Sequence, residues 1–241
     1  MIKVVRPSGR SPDEFRAVTL QLGAAPQAEG SCLISMGSTR VLCTASVQDT
    51  VPAWREGTGG WVTGEYAMLP RSTSQRTPRE RSGPRARTQE IQRLIGRALR
   101  AATDLEALGT RTIIVDCDVL SADGGTRTAA ITGGCLALWQ AASRLVSAGA
   151  VETNPVQQLV AAISVGIVDG AACLDLDYVE DVRADVDMNF AALEDGRIVE
   201  VQGTAEGAPF ARDELDAMLA MAEKGVRELI AMQQDATRAQ P

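Results

Sequence analysis

A run of strand-like segments closed by helix-like segments occurs twice along this chain, and that order directs it to an α+β architecture. In the first run, Arg16–Gly23, Ser31–Met36 and Thr39–Gln48 are rich in β-branched and apolar residues, with Gly37-Ser38 as a hairpin signal. Trp61–Leu69 follows the turn Gly57–Gly60. Helical spacing then appears over Thr88–Thr103, where Ile91, Leu94, Ile95, Ala98 and Leu99 share one face. Thr110–Cys117 reads as a strand and Thr126–Ala148 as a long, largely apolar helix. Beyond Pro155 the order returns: strands at Leu159–Val168, Ala171–Leu176, Ala184–Leu193 and Ile198–Gly203, then an amphipathic helix over Arg212–Met232. A frayed tail is expected over about 233–241. The expectation is one domain over 1–241, two β–α halves with mixed sheets and packed helices around one core. No internal sequence repeat supports the two halves, so they rest on element order alone.

Charge is segregated on this frame. Between Arg71 and Arg100 stand nine arginines against Glu80 and Glu90, in a chain whose formal net charge is −7. Within that strip, Pro70–Arg87 carries Pro70, Pro78, Pro84 and Gly83 and almost no apolar residue, so 72–86 reads as an exposed, disorder-prone loop. The reverse follows downstream: Asp175, Asp177, Glu180, Asp181, Asp185 and Asp187 are offset only by Arg183. A basic strip suits a phosphate backbone, and a carboxylate cluster suits a hard divalent cation. Together they point to phosphoryl chemistry on nucleic acid.

What is missing narrows the chemistry further. The chain has no histidine, which excludes a Ser-His-Asp triad, a Cys-His pair and an HExxH zinc site. Catalysis must use carboxylates, arginines, hydroxyls, backbone donors or a metal. Phosphoryl transfer runs on that list, because it depends on positioning and charge neutralisation. The five cysteines, at 32, 43, 117, 135 and 173, form no CxxC pair and read as buried thiols of a reducing cytoplasm. No window approaches eighteen apolar residues, so no membrane span is expected.

Three segments carry the candidate chemistry. In Asp123–Gly134, the pair Gly124-Gly125 opens a helix at Thr126, Arg127 and Thr128. Helix N-termini present free N–H groups and positive potential to an anion, which the Thr126 hydroxyl and Arg127 guanidinium would complete. The same residues also read as a plain glycine turn with Thr126 as N-cap and Arg127 exposed. Along Arg87–Ala101, Arg93, Arg97 and Arg100 recur on one face, able to track a phosphate backbone, pair with an acidic neighbour, or simply be solvated. Arg87 sits where loop meets helix, a place for a second phosphate ligand. In Leu174–Asn189, alternation puts Asp181, Arg183, Asp185 and Asp187 on one face if the segment is extended, a register that a turn near Asp181 would break. Converging carboxylates there suit Mg2+ or Mn2+; the alternative is an acidic turn leading into a strand. Glu200–Phe210, with Gly203 and Gly207 around Thr204 and Glu206, reads either as cleft lining or as a strand end and loop.

Taken as a set, Gly37–Asp49, Gly60–Thr73, Arg87–Ala101, Asp116–Gly134, Leu176–Asn189 and Glu200–Phe210 resemble ribonuclease PH, the phosphate-dependent tRNA nucleotidyltransferases, in family order over nearly the whole chain. The resemblance implies a 3′→5′ exoribonuclease that uses inorganic phosphate as co-substrate, trims tRNA precursors and releases nucleoside 5′-diphosphates. It implies the two-half fold also found in a domain of ribosomal protein S5, a homohexamer built as a trimer of dimers, and a Mg2+ (or Mn2+) requirement. Carried onto this chain, Arg87, Gly125, Thr126 and Arg127 hold the attacking phosphate. Asp181 and Asp187 hold the metal and assist the leaving oxygen, and Arg71, Arg76 and Arg79, with Arg93 and Arg97, contact RNA.

The chain departs from the family pattern in the loop after Thr73, which lacks a histidine common among relatives and adds Arg81, Arg85, Pro78 and Pro84. Val182 replaces a usual serine, and Gly64 and Ala67 look exchanged around Glu65-Tyr66. None of these removes a candidate ligand. Two other classes remain open at this point: a ring subunit that binds RNA without cleaving it, and a metal-dependent hydrolytic nuclease.

Overall fold

The computed structural model describes residues 6–239. Its first sheet has the order β1-β2-β3-β5-β4, built from β1 (Val18–Leu22), β2 (Gly30–Met36), β3 (Thr39–Gln48), β4 (Trp61–Met68) and β5 (Thr112–Ser121). The β1–β2, β2–β3 and β3–β5 pairs are antiparallel, while β4 and β5 run parallel, joined through helix α1 (Ala86–Ala101). A helical crossover of this kind is what a parallel pair requires. The second sheet has the order β7-β6-β8-β9, from β6 (Val160–Val168), β7 (Ala171–Leu174), β8 (Val186–Leu193) and β9 (Ile198–Ala205). All three of its pairs are antiparallel, so the expected mixed pairing holds for the first sheet only. The reason is local: Asp169-Gly170 turns β6 directly into β7, and Asp195-Gly196 turns β8 into β9.

Helix α2 (Thr126–Ser147) lies between the sheets, touching β2 and β3 on one side and β6 on the other. That position explains why it is apolar nearly all round, with both Ala129–Ala130 and Leu136–Leu138 buried. Glycine inside a helix is unfavourable relative to alanine, yet Gly133 is needed here. A Cβ on it would fall 2.7 Å from Ile34 Cγ2. Helix α4 (Arg212–Arg238) covers the far side of the second sheet, packing on β6 and β7. The middle of the second sheet is thus buried on both faces, with β6 buried at every position, while edge strand β9 stays partly or fully exposed. In β5, by contrast, Val115, Cys117 and Val119 are buried and Asp116 and Asp118 between them are not, as expected of a sheet with one open face.

Several boundaries shift by a few residues, β5 running to Ser121 rather than Cys117 and α1 starting at Ala86 rather than Thr88. Two further differences change the reading of a segment. The last helix continues past Met232 to Arg238, because the Gln233 side chain is buried and donates to the carbonyl oxygens of Thr132 (2.9 Å) and Val160 (3.0 Å). Of the expected frayed tail, 240–241 lie outside the described residues. A four-residue helix, α3 (Tyr178–Asp181), interrupts the acidic segment. The break comes where a turn near Asp181 was the alternative, and the extended register through Asp187 does not form. All five cysteines are buried free thiols, and burial pushes Cys32 and Cys135 up to about 12. Among the described residues, no helix is long and apolar enough to cross a membrane.

Candidate active site

The ends of α1, α2, α3 and β8 meet around a cavity of about 700 Å3. Its wall brings together Arg87, Gly125, Thr126 and Arg127 with Asp181 and Asp187. Arg87 and Arg127 occupy equivalent places, each the second residue of its helix. Neither helix has an acidic residue in its first turn. A cation beside the positive end of a helix dipole is unfavourable. Two such arginines at two such ends concentrate positive potential on one space, and an anion placed there relieves it.

The turn before α2 shapes this end of the cavity. Gly124 and Gly125 have φ of 75° and 66°, two successive left-handed residues that bend the chain from β5 into the helix. At Gly124 a Cβ would lie 2.4 Å from the Leu176 carbonyl oxygen, so the turn also packs directly on the chain entering α3. Gly125, not Thr126, is the N-cap residue, and no side chain caps the helix. The Thr126 hydroxyl instead shares a 2.8 Å hydrogen bond with the Tyr66 hydroxyl of β4. Burial raises the Tyr66 phenol above its ordinary value, so it stays protonated. The Arg127 guanidinium donates to Gln202 Oε1 (3.1 Å) and Glu90 Oε1 (3.4 Å), and Gln202 Nε2 donates to the same Glu90 oxygen. It is held in place, not free in solvent as the plain-turn alternative had it.

The two aspartates of the cavity resist ionisation. Burial and the neighbouring Asp181 carboxylate push Asp187 up to about 6, against the opposing pull of Arg127 and Arg87. Asp181 is raised too, by burial, again opposed by Arg87 and Arg127. Both aspartates therefore feel both arginines, although 54 to 100 positions of sequence separate the carboxylates from the guanidiniums. Glu206 adds to the negative charge at both aspartates and lines the same cavity.

The rest of the acidic segment serves a different purpose. Glu180 accepts two hydrogen bonds from Arg6, at 2.7 and 2.6 Å, and one from Arg10 at 3.0 Å. Asp175 accepts from Arg16, whose guanidinium also donates to the Asp123 and Gly124 carbonyl oxygens. Arg183 turns outward to Asp169. Asp175, Asp177 and Glu180 are thus joined to a buried arginine network that fixes α3 and the glycine turn, while Asp181 and Asp187 remain for the cavity.

The other arginines lie outside the cavity wall. Arg71, Arg76 and Arg79 are exposed on the irregular loop whose Thr73 and Ser74 do line it, and Arg71 donates to the Ser74 carbonyl oxygen. Arg93 is exposed on α1. Arg97 is ion-paired with Glu200 of β9, and Arg100 donates to Val62 and lies over the Trp61 ring, centroid distance 4.3 Å. Tyr66, Gln202, Asn189 and Ser164 were not singled out from sequence. For Tyr66 a signal existed: alternation along β4 places it inward with Val62 and Gly64.

Comparison with known proteins identifies the two halves of the chain. The family model described as 3′ exoribonuclease family, domain 1, matches residues 14–143, and that of domain 2 matches 158–225. Solved structures share the fold. An Archaeoglobus fulgidus exosome chain, from a structure with RNA bound to the active site, aligns at TM-score 0.80 and 23% identity over 93% of this chain and 91% of its own. An archaeal exosome core chain gives 0.77 and 23%, covering 95% and 91%, and rice (Oryza sativa) Rrp46 gives 0.76 and 17%, covering 97% and 99%. With the two matched domains falling on the two β–α halves that enclose the cavity, the chain belongs to the ribonuclease PH family of 3′ exoribonucleases.

Proposed function

We propose that this protein is a phosphate-dependent 3′→5′ exoribonuclease that trims tRNA precursors and releases nucleoside 5′-diphosphates. One observation carries the reading: Arg87 and Arg127, at two helix N-termini, share a cavity with Asp181 and Asp187. The nucleophile is an anion that must attack a phosphodiester, itself an anion. Such an approach is prohibitive unless both charges are neutralised in place. Arg87, Arg127 and the first turn of α2 bind the attacking phosphate, and Tyr66 orients the Thr126 hydroxyl beside it. No histidine is needed, because phosphate enters already ionised.

The aspartate pair fits a divalent cation. Two buried carboxylates whose ionisation is disfavoured, Asp187 partly by Asp181, gain most from a shared positive charge, and Mg2+ commonly takes one or two carboxylates and keeps waters. Among the described residues no group of three or more His, Cys, Asp or Glu is arranged to hold a metal, so a more protein-rich cage is not on offer. When bound, Mg2+ or Mn2+ supplies positive charge at the leaving 3′ oxygen. Asp181 at the end of α3 and Asp187 at the start of strand β8 would hold that position.

RNA would enter along Arg71, Arg76 and Arg79, with Arg93 extending the positive strip and Arg97 contributing less because Glu200 already pairs with it. The family resemblance adds a homohexamer, and the exposed Ile198 and Val201 of edge strand β9 offer surface for assembly. Light scattering showing a stable monomer would count against that assembly. Five unbridged thiols accord with a cytoplasmic setting.

The test is to incubate a 3′-extended tRNA precursor with Mg2+, with and without phosphate. Nucleoside diphosphates that appear only with phosphate are expected. Monophosphates formed without phosphate would identify a hydrolytic nuclease, and RNA bound but uncut a silent ring subunit.

A further inference from the structure

Tyr178 stands apart from the rest of the cavity wall. It is the single aromatic residue among the described residues lining the cavity, and it is 61% exposed. Val182, one turn on, lines the same cavity and is 67% exposed. Apart from Met68, Ala122 and the two glycines the rest of the lining is charged or polar, so Tyr178 and Val182 form an apolar lip that none of the described residues covers. It is also rigid. Asp177 and Glu180 cap α3 reciprocally, at 3.0 and 3.1 Å, and Glu180 is clamped from inside by Arg6 and Arg10. An aromatic side chain held on a fixed turn and left in water is the arrangement of a stacking surface, because little ordering remains to be done when a flat ligand arrives.

We propose that Tyr178, backed by Val182, is the platform on which the nucleobase of the RNA 3′-terminal nucleotide stacks. The proposal rests on the reading of the cavity as the exonuclease centre and identifies its base subsite. Position supports it. Residues three and four apart on a helix share a face, so Tyr178 and Val182 flank the Asp181 carboxylate assigned to the reacting 3′ end. A nucleotide whose phosphodiester lies between the arginines and aspartates has its base beside that lip. The chemistry fits as well. Each cleavage exposes a new terminal base of any identity, and stacking on an aromatic ring accepts every base because each has a π-face. A hydrogen-bonding pocket would discriminate among them.

The test compares Tyr178→Ala, Tyr178→Phe and Tyr178→Trp on two RNA oligonucleotides of one sequence, the second carrying an abasic 3′-terminal nucleotide. Expected for Tyr178→Ala is a rise of about 10-fold or more in KM for the normal RNA, with KM for phosphate unchanged. Phe and Trp should restore it. On the abasic RNA the wild type and Tyr178→Ala should become equivalent. An unchanged KM for the normal RNA, or an equal penalty on both RNAs, overturns the platform. So does a change in assembly by light scattering with unaltered RNA affinity, which would make the lip a contact between copies. If the wild type releases no diphosphate, the functional reading fails separately. Fluorescence anisotropy with the same two RNAs then decides the platform: loss on the normal RNA alone supports it, equal affinities overturn it.

Discussion

Arg16 meets Asp175 side-on in the interior, its Nε and Nη2 donating to the two carboxylate oxygens at 2.8 and 2.6 Å while the Arg16 backbone N–H reaches the same carboxylate at 2.8 Å. Asp175 is fully buried and sits at φ 52°, a left-handed conformation that a non-glycine residue keeps only when its surroundings impose it. The rest of the guanidinium binds the carbonyl oxygens of Asp123 and Gly124, immediately before the helix that presents Thr126 and Arg127. One arginine thereby sets the glycine turn before α2 against the chain entering α3.

Removing it should therefore affect stability and phosphate binding together. Truncation to alanine leaves the buried Asp175 with only the longer Arg10 contact at 3.4 Å, a loss of up to about 3–5 kcal/mol. Arg16→Lys keeps the charge but not the paired geometry. It should remain folded while KM for phosphate rises several-fold more than KM for RNA. Urea denaturation and a phosphate titration read the two effects, and a folded Arg16→Lys with wild-type phosphate affinity would remove Arg16 from this role.

The Arg6–Glu180 pair makes acid stability its readout. Burial is the largest influence and would raise the Glu180 carboxyl, but the hydrogen bonds from Arg6 and the Asp177 N–H, with the charges of Arg6 and Arg10, together hold it below its ordinary value of 4.5. A group with a depressed folded pKa contributes its stability above the ordinary value, and that stability is lost as pH falls through the folded one. The wild-type urea midpoint should thus drop on acidification below about pH 4.5. Glu180→Gln should start lower at pH 7 and lose less over the same range. Parallel pH profiles for the two proteins would show that the pair does not contribute in this way.

Such partners explain what was legible in the sequence and what was not. Periodicity located the strands and long helices because it is local: β3 has the bounds Thr39–Gln48 that its pattern predicts. The acidic segment was read as one cluster because Asp175 and Glu180 look like Asp181 and Asp187 until their partners are known. Those partners, Arg16 and Arg6, lie 159 and 174 positions away. Gln233 misled for the same reason, a polar residue whose acceptors belong to α2 and to β6. Arg87 and Arg127 were legible through glycine spacing and the family pattern, yet the shared placement of both at the second position of a helix emerges only when the helix starts are fixed.

Tyr66→Phe isolates the hydroxyl that holds Thr126. The ring volume is kept, so the fold should be unaffected, but the Thr126 hydroxyl loses its partner at 2.8 Å. A neutral hydrogen bond of this kind corresponds to roughly 0.5–1.5 kcal/mol, or a rise of about 2- to 10-fold in KM for phosphate. KM for RNA should stay the same. Phosphate titration at saturating RNA measures it, and an equal change in both constants would point to a general disturbance of the cavity.

Asp187 separates function from stability most sharply. Losing this carboxylate, or the Arg127 guanidinium facing it, should cost about 100-fold or more in phosphorolysis. Stability should move the other way. Burial and Asp181 push the Asp187 carboxyl up to about 6, and a group with a raised folded pKa contributes stability below its unfolded value that disappears as pH climbs through the folded one. At pH 8 both aspartates are charged and repel. Asp187→Asn should therefore melt at a higher temperature than wild type at pH 8, with the gap closing toward pH 4. Saturating Mg2+ should narrow the gap at pH 8 by stabilising the wild type alone, since the cation supplies the charge that the pair lacks. A variant that melts lower than wild type at pH 8, with Mg2+ stabilising both equally, would mean that the two carboxylates neither oppose each other nor share a cation.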